Sequence, residues 1–122
     1  MHHTPVHFEI PADDPEKLSG FYQDLFGWTI TKAPGPVDYW MVETAPEGQG
    51  VNGGMMARQV PQQQIMVYFQ VESIDDFATK AQSLGGTVVM PKHAVAGMGW
   101  FAVCLDPQNN AFALWEDDSS AA

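Results

Sequence analysis

The chain has 122 residues, of which 45% are hydrophobic and 11% aromatic, so it is long and apolar enough to fold around a core and is not expected to be disordered. Five Lys and Arg against 15 Asp and Glu give a formal charge of −10, which repels nucleic acid phosphates and anionic membrane surfaces, so we expect neither as a partner. No apolar run approaches the roughly 20 residues of a membrane span, no leader pattern precedes the first strand, and Cys104 has no second cysteine to pair with; together these features predict a cytoplasmic protein.

The first half of the chain begins with a strand pattern at residues 6–10 and continues into a helix pattern. Asp14 followed by Pro15 is typical of a helix start, and Gly27 is typical of a helix end. The apolar positions between them recur at helical spacing and predict one buried face, which comprises Leu18, Phe21, Tyr22, Leu25 and Phe26. Three short strand patterns follow at residues 28–32, 39–44 and about 51–58, separated by turns that contain Pro and Gly.

The second half shows the same order of patterns, starting with a strand at residues 67–71. Ser73 and Asp76 have the spacing of a capping box, and Gly85 with Gly86 provides a stop signal. Strand patterns follow at residues 87–90, 100–105 and 111–116, and residues 91–99, which include His93, are interpreted as a loop.

The two halves form a weak internal repeat. Residues 6–10 align with residues 67–71, and the same offset aligns residues 39–42 with residues 100–103. The sequence therefore predicts an α+β fold of two βαβββ modules within a single domain. We place the first module at residues 1–60, a linker at 61–64, the second module at 65–118 and a tail at 119–122.

Alternation along the strands assigns side chains to the two faces of each sheet. If the helices cover the apolar faces, the polar residues of the first and fifth strands point the other way. If Asp106 pairs with Ala111 in the last hairpin, the register adds further positions from the last two strands. The predicted ligand-binding surface comprises His7, Glu9, Tyr68, Gln70, Trp100, Ala102, Cys104, Ala113 and Trp115. Aromatic and small residues with a few polar groups are typical of a small-molecule cavity.

Two segments, FYQDLFGW at residues 21–28 and DPQNN at residues 106–110, resemble the vicinal oxygen chelate superfamily. This group includes glyoxalase I, extradiol dioxygenases, fosfomycin-resistance transferases and bleomycin-binding proteins. The resemblance covers nearly the whole chain. It implies a curved eight-strand cup with the helices outside, usually in a homodimer, and in the enzymes a divalent metal at the base of the cup.

The resemblance also implies where a metal would bind, because metal-dependent members take ligands from the first and last strands of each module. Carried over by motif, these positions fall on His7, on Tyr68, on Ala113 and near Gly54 or Met55. Only His7 is a good ligand, whereas a catalytic metal needs about three protein ligands. We therefore expect no cofactor, with His7 as a weak metal candidate.

Further roles of the polar residues stay open in the sequence. Glu9 lies two residues from His7 and forms with it either an acid–base pair or a weak metal site, or instead bonds to Gln70 or Tyr68. The catalytic candidates are thus His7, Glu9 and Tyr68. Glu116 is not expected to reach this surface, because three residues along a strand shift a side chain by about 10 Å and reverse its face.

Three functions follow as hypotheses. The first is a metal-free member of the superfamily that binds a small aromatic or apolar molecule, neutral or cationic. The alternative is a metal-dependent lyase, isomerase or dioxygenase that uses His7. In the third, the exposed aromatic residues serve only as a partner interface. The residues leave open whether any reaction is catalysed.

Overall fold

The computed structural model describes residues 1–122 and contains eight strands and two helices. The elements are β1 (Pro5–Ala12), α1 (Pro15–Phe26), β2 (Thr29–Lys32), β3 (Tyr39–Glu43), β4 (Gly53–Ala57), β5 (Met66–Gln70), α2 (Ile74–Ser83), β6 (Thr87–Val95), β7 (Gly99–Leu105) and β8 (Ala111–Asp117). The order is βαβββ twice, which confirms the predicted α+β fold of two βαβββ modules. Neither helix has the length and apolar character needed to cross a membrane.

The chain divides into two compact units. Val6–Met66 form one unit, called the first module here, and Met1–Pro5 with Val67–Ala122 form the other, called the second module. The chain's first residues belong to the second module through two contacts. The backbone N–H of Gln70 donates to the carbonyl of Thr4 at 3.0 Å, and Nε2 of His3 lies 2.9 Å from Oε1 of Glu72.

The first module consists of a four-stranded sheet in the order β2-β3-β4-β1, with α1 on one face. β1 runs parallel to β4, and the other pairs are antiparallel. α1 begins and ends as predicted: the Asp14 side chain accepts the N–H of Lys17 at 3.2 Å, and Gly27 takes a left-handed conformation with φ of 73°. The core between helix and sheet comprises Ile10, Ala12, Val42 and Met55, with Phe8, Leu18, Tyr22, Trp28, Ile30 and Trp40 packed against it.

The predicted buried face of α1 is wrong for three of its five residues. Phe21, Leu25 and Phe26 are 56%, 57% and 57% exposed. The helix instead turns Ser19 inward, where its hydroxyl donates to the carbonyl of Pro15 at 2.7 Å and contacts the sulfur of Met55 at 3.6 Å. The buried face is therefore centred on Leu18, Ser19 and Tyr22. Ser19 can lie there because its hydroxyl bonds to its own helix backbone and is satisfied without water.

The second module repeats this arrangement. Its strand order is β6-β7-β8-β5, with β5 parallel to β8 and the other pairs antiparallel. The Ser73 side chain accepts the N–H of Asp76 at 3.2 Å and starts α2, as predicted. The core beneath α2 comprises Val71, Ile74, Ala102, Cys104 and Leu114, with Phe77, Val88, Trp100 and Phe112 packed against it.

The segment predicted as a loop at residues 91–99 is largely strand. β6 continues to Val95 and pairs with β7, with register shifts between Val88 and Met90 and between Met90 and His93. Pro91 lies within the second shift, where its missing N–H removes no ladder bond. The bulges thus allow β6 to continue past Pro91. His93 therefore pairs with Phe101 instead of lying in a loop.

The predicted register of the last hairpin is also wrong, by one residue. Leu105 pairs with Ala111, whereas the prediction paired Asp106 with Ala111. Asn109 adopts φ of 66°, and the N–H of Asp106 donates to the carbonyl of Asn110 at 2.9 Å, which closes a three-residue connection. A one-residue slip exchanges the two faces of a strand. On β7, therefore, the alternate residues predicted to line the ligand surface lie under α2; they are Trp100, Ala102 and Cys104.

Candidate functional site

In the first module, the sheet face away from α1 carries the polar residues of β1. Phe8 and Ile10 pack on the α1 side, so alternation places His7 and Glu9 on the opposite face, as predicted. Glu9 pairs with Gly54 across β1 and β4, and Tyr39 pairs with Met56 across β3 and β4. Pairing and alternation together bring Tyr39 onto the face of His7, Glu9 and Gly54.

The Tyr39 hydroxyl connects His7 with Glu9, and we call these three residues the His7–Tyr39–Glu9 cluster. The hydroxyl donates to Oε2 of Glu9 at 2.9 Å and lies 2.8 Å from Nε2 of His7. A phenol has one hydrogen, so its oxygen accepts from Nε2–H of His7. Burial lowers the pKa of His7 below its ordinary value of 6.5, which favours the neutral imidazole; this form donates to Tyr39 when its hydrogen is on Nε2.

The Tyr39 ring lies directly over Gly54. A Cβ atom at residue 54 would stand 1.7 Å from the Tyr39 hydroxyl oxygen and 2.1 Å from Cζ. Tyr39 is not among the residues of the predicted ligand-binding surface. A signal was nevertheless present, because two glycines inside a strand, Gly53 and Gly54, often mark the close approach of another group.

The residues of the first module do not fit the metal centre that the resemblance implies. Gly54 offers no donor and its side-chain space holds the Tyr39 phenol, while Met55 is fully buried in the α1 core. Asn52 lies two residues before Gly54, so alternation directs it to the same face of the sheet. Its side-chain oxygen, however, accepts the N–H of Thr44 at 2.9 Å. No group of three or more His, Cys, Asp or Glu side chains is arranged to hold a metal ion.

In the second module, the face away from α2 is aromatic. Tyr68 pairs with Ala113 and Gln70 with Trp115 across β5 and β8, as the predicted orientation of both strands requires. The corrected register of β7 adds Phe101, whose ring centroid lies 6.3 Å from that of Tyr68. His93 also contacts the Phe101 ring, at 5.8 Å between centroids. Sequence reasoning missed Phe101 because the hairpin register was misassigned.

The carboxylate of Asp117 fixes the polar edge of this face. It accepts from Nε2 of Gln70 at 2.5 Å and from Nε1 of Trp115 at 2.7 Å. The Trp115 ring then covers Gly99, where an added Cβ would lie 2.6 Å from ring carbon Cζ2. Trp115 is therefore held in one orientation by a hydrogen bond at one side and a glycine at the other.

One carboxylate and one thiol that the sequence analysis considered, those of Glu116 and Cys104, lie on the α2 side of the second module's sheet. Oε1 of Glu116 accepts the N–H of Ile74 at 2.8 Å at the start of α2, which confirms that Glu116 does not reach the face of Tyr68. Cys104 is fully buried in the α2 core, and burial raises the pKa of its thiol. Neither group is placed for chemistry on the face away from α2.

Two open depressions on the first module lie apart from the His7–Tyr39–Glu9 cluster. Their volumes are about 580 and 340 Å³, and both border Asp13 and Arg58. Nε of Arg58 lies 2.9 Å from Oδ1 of Asp13, so the two charged residues that border both depressions pair with each other. We therefore consider the His7–Tyr39–Glu9 cluster, rather than these depressions, the better candidate for specific chemistry.

Comparisons with known proteins identify the family. A model of the glyoxalase-like domain matches residues 6–115, and the chain belongs to this family. The anthracycline biosynthesis protein DnrV of Streptomyces peucetius is 29% identical over 92% of this chain and 46% of its own length. The putative glyoxylase CFP32 of Mycobacterium tuberculosis is 31% identical over 91% of this chain and 43% of its own length. The chain thus spans less than half the length of these curated relatives.

Solved structures share the fold. The hypothetical protein BH1468 from Bacillus halodurans superposes with a TM-score of 0.73 at 12% identity, over 100% of this chain and 99% of that one. Methylmalonyl-CoA epimerase from Mycobacterium tuberculosis gives 0.68 at 14% identity, over 93% and 87%. A glyoxalase/bleomycin resistance protein/dioxygenase superfamily member from Vibrio splendidus gives 0.67 at 12% identity, over 94% and 98%. The superfamily resemblance drawn from residues 21–28 and 106–110 is confirmed.

Proposed function

We propose that this glyoxalase-like chain binds a small aromatic or apolar molecule, neutral or cationic, without a resident metal ion. The observation that carries the proposal is the position of Tyr39. Its phenol fills the side-chain space of Gly54, where the resemblance calls for a ligand of the last strand, and it bonds to both His7 and Glu9. Organic hydrogen-bonding groups thus stand where metal-dependent members hold donors for an ion.

The lining residues support an aromatic guest. The face of the second module away from α2 carries two aromatic rings in contact, Tyr68 and Phe101, and the oriented indole of Trp115. Aromatic side chains bind flat apolar molecules through large contact areas and favourable ring geometry. The formal charge of −10 disfavours anionic guests.

The names of two relatives agree with this ligand class. DnrV and DauV are both called anthracycline biosynthesis proteins, and anthracyclines are fused-ring aromatic molecules. We extend only the chemical class to this chain, as part of the proposal. The relatives are more than twice as long as the segment they share with it, so their whole activity is not transferred.

Metal analysis tests the metal-free part of the proposal. Protein purified without chelator is analysed by inductively coupled plasma mass spectrometry for nickel, zinc, manganese and iron. We expect far less than one equivalent of each, in the wild type and in His7→Ala alike. About one equivalent in the wild type that is lost in His7→Ala would instead support a metal-dependent lyase, isomerase or dioxygenase.

Ligand binding tests the remaining part. Thermal shift with 2-naphthol, an uncharged bicyclic probe, should raise the melting temperature, because a ligand that binds only the folded state stabilises it by mass action. 2-Naphthalenesulfonate has a similar ring system with a fixed negative charge and should give a smaller shift. A flat response to both probes would contradict the proposal and favour an interface role for the exposed aromatic residues.

We also propose a homodimer in the cytoplasm. Edge strands and exposed rings, such as Phe21 and Phe26 on α1, are commonly covered by another subunit. Light scattering coupled to size-exclusion chromatography should give twice the mass of the chain. A monomer at micromolar concentration would contradict this part of the proposal.

A further inference from the structure

Helix α1 presents a stripe of apolar side chains to solvent, with a charged residue towards each end. Phe21 and Leu25 are 56% and 57% exposed, although both are large and apolar. Successive residues of a helix are rotated by about 100°, so Lys17, Phe21, Asp24 and Leu25 lie on the same side of α1. We call these four residues the α1 stripe. Adjacent exposed apolar side chains of this kind often mark a protein interface.

The Phe21 ring is supported by its own module. Its centroid lies 5.2 Å from that of Tyr22, at an interplanar angle of 82°, and Tyr22 packs against the α1 core. A supported ring loses little conformational freedom when a partner covers it. The depression of about 340 Å³ opens beside Phe21 on the side of the helix start, where it borders Lys17 and Leu18. The α1 stripe thus combines an exposed ring with an adjacent hollow.

The charges of the α1 stripe have no ionic partners within the chain. Of the five Lys and Arg residues, only Lys17 has neither a carboxylate within ion-pair distance nor an aromatic ring beneath its charge. Asp24 is also exposed and forms no ion pair. The formal charge of −10 makes two copies repel each other, so self-association is most favourable at a face where opposite charges meet. The α1 stripe carries one charge of each sign.

We propose that the α1 stripe packs against the α1 stripe of a second copy of this chain, with the two helices antiparallel and Phe21 near the two-fold axis. The inference rests on the homodimer proposed above and assigns its surface. Lys17 precedes Phe21 by about one turn, and Asp24 follows it by about one turn. The antiparallel arrangement therefore places Lys17 beside Asp24 of the partner subunit, and the two-fold axis repeats this pair.

The same arrangement accommodates the apolar residues. The end of one α1 helix faces the start of the other, so Leu25 lies beside Leu18 of the partner subunit and the depression that borders it. A parallel pair of helices would instead place Lys17 against Lys17 and Asp24 against Asp24, and like charges in contact repel. The charges of the stripe thus select the antiparallel orientation.

The dissociation constant of the dimer, measured by sedimentation equilibrium, tests the inference. Phe21→Gln should weaken dimerisation about tenfold or more, because it removes the aromatic ring at the centre of the interface. Met98→Gln is the matched control, since Met98 is 61% exposed in the turn between β6 and β7. Its replacement should leave the dissociation constant unchanged. Circular dichroism verifies that each variant is folded.

A charge exchange tests the antiparallel arrangement. Lys17→Glu and Asp24→Lys should each weaken dimerisation about tenfold, because each creates two like-charge contacts across the interface. The double variant restores opposite charges and should return to within about threefold of the wild-type dissociation constant. An acidic residue in the first turn and a basic residue in the last turn favour the helix itself, so unfolding of α1 would not explain losses in the single variants.

Each outcome bears on a different part of the inference. A wild type that stays monomeric at micromolar concentration would overturn both the inference and the proposed homodimer, leaving the α1 stripe to a different partner and the proposed ligand binding intact. A dimer that Phe21→Gln or the single charge variants leave unchanged would contradict the inference alone. Charge variants that weaken dimerisation without rescue in the double variant would rule out the antiparallel pairing of Lys17 with Asp24.

Discussion

Tyr39 and Gly54 occupy one space: an added Cβ at residue 54 would stand 1.7 Å from the Tyr39 hydroxyl oxygen. Real Cβ atoms do not approach other atoms this closely, so a side chain at residue 54 would force the Tyr39 ring to move from this position. The glycine on β4 is therefore what allows the phenol to reach His7 and Glu9. Stability and site geometry depend on the same residue pair.

Gly54→Ala should destabilise the protein by about 1–3 kcal/mol, the usual cost of overpacking a tightly filled position. Urea unfolding followed by fluorescence measures the change. Tyr39→Ala in the same chain should relieve the clash, so the double variant should lose less stability than the sum of the two single variants. Additive losses would show that the two side chains do not compete for space.

Gly20→Ala is the control for this experiment. Gly20 lies inside α1, and apart from its chain neighbours and the surrounding helix backbone no heavy atom lies within 4 Å of a Cβ added there. Alanine should therefore stabilise the protein by roughly 0.5–1 kcal/mol through helix propensity. A loss of stability at both glycines would point to a general intolerance of added methyl groups instead of a specific conflict with Tyr39.

Cys104 should react slowly with thiol reagents in the folded protein. The side chain is fully buried among the core residues under α2, and burial raises the pKa of its thiol, so little thiolate is present or accessible. Ellman's reagent should label it fully in denaturant and only at the rate of unfolding in buffer. Rapid labelling of the native protein would restore Cys104 to the ligand-facing surface that the sequence alone predicted.

His7 should make the protein less stable as the pH falls. Burial lowers the pKa of His7 in the folded state, so below about pH 6.5 the unfolded chain binds more protons than the folded one. Its contribution is complete above the unfolded pKa and decreases as the pH falls towards the folded pKa. In urea unfolding between pH 7.5 and 5, the free energy of unfolding of His7→Gln should depend less steeply on pH than that of wild type; an unchanged slope in His7→Gln contradicts the prediction.

Asp118 should contribute acid sensitivity at lower pH. Hydrogen bonds from Ser120, with Oγ at 2.6 Å, and from Nε1 of Trp100, at 3.0 Å, lower the pKa of Asp118 to about 2. A depressed carboxyl pKa adds stability above the unfolded value of 3.8, and this stability is lost as the pH falls towards 2. Melting temperatures of Asp118→Asn should decline less steeply over that interval than those of wild type; equal slopes would show that these bonds do not favour the ionised form.

Local signals predicted the helices accurately. The caps of α1 at Asp14 and Gly27 and of α2 at Ser73 involve atoms only a few residues apart, so the sequence that encodes them is contiguous. The buried face of α1 was predicted less well, because it depends on which side of the helix meets the sheet. Ser19 is turned inward and Phe21 outward, which apolar periodicity alone does not indicate.

In the candidate site, too, local patterns placed some residues correctly, whereas strand pairing decided the others. Alternation on β1 and β5 was sufficient to place His7, Glu9, Tyr68 and Gln70 on the faces away from the helices. The left-handed Asn109 shortened the last connection, so the β7 positions exchanged faces and Phe101 replaced Trp100 as the residue on the side of Tyr68. A single backbone conformation in a turn thus decided the lining of a whole strand.

The sequence by itself determined the order of elements, the duplicated βαβββ pattern, the helix caps and the family. Each of these depends on neighbouring residues or on a motif within one segment. Tertiary structure alone decided that Tyr39 joins His7 and Glu9. That contact requires β3, β4 and β1 to pair in a particular register, and it requires a glycine on β4 to leave room for a ring from β3. Strand pairing brings together residues that are about 30 positions apart in the chain, and no local preference specifies which of them will meet.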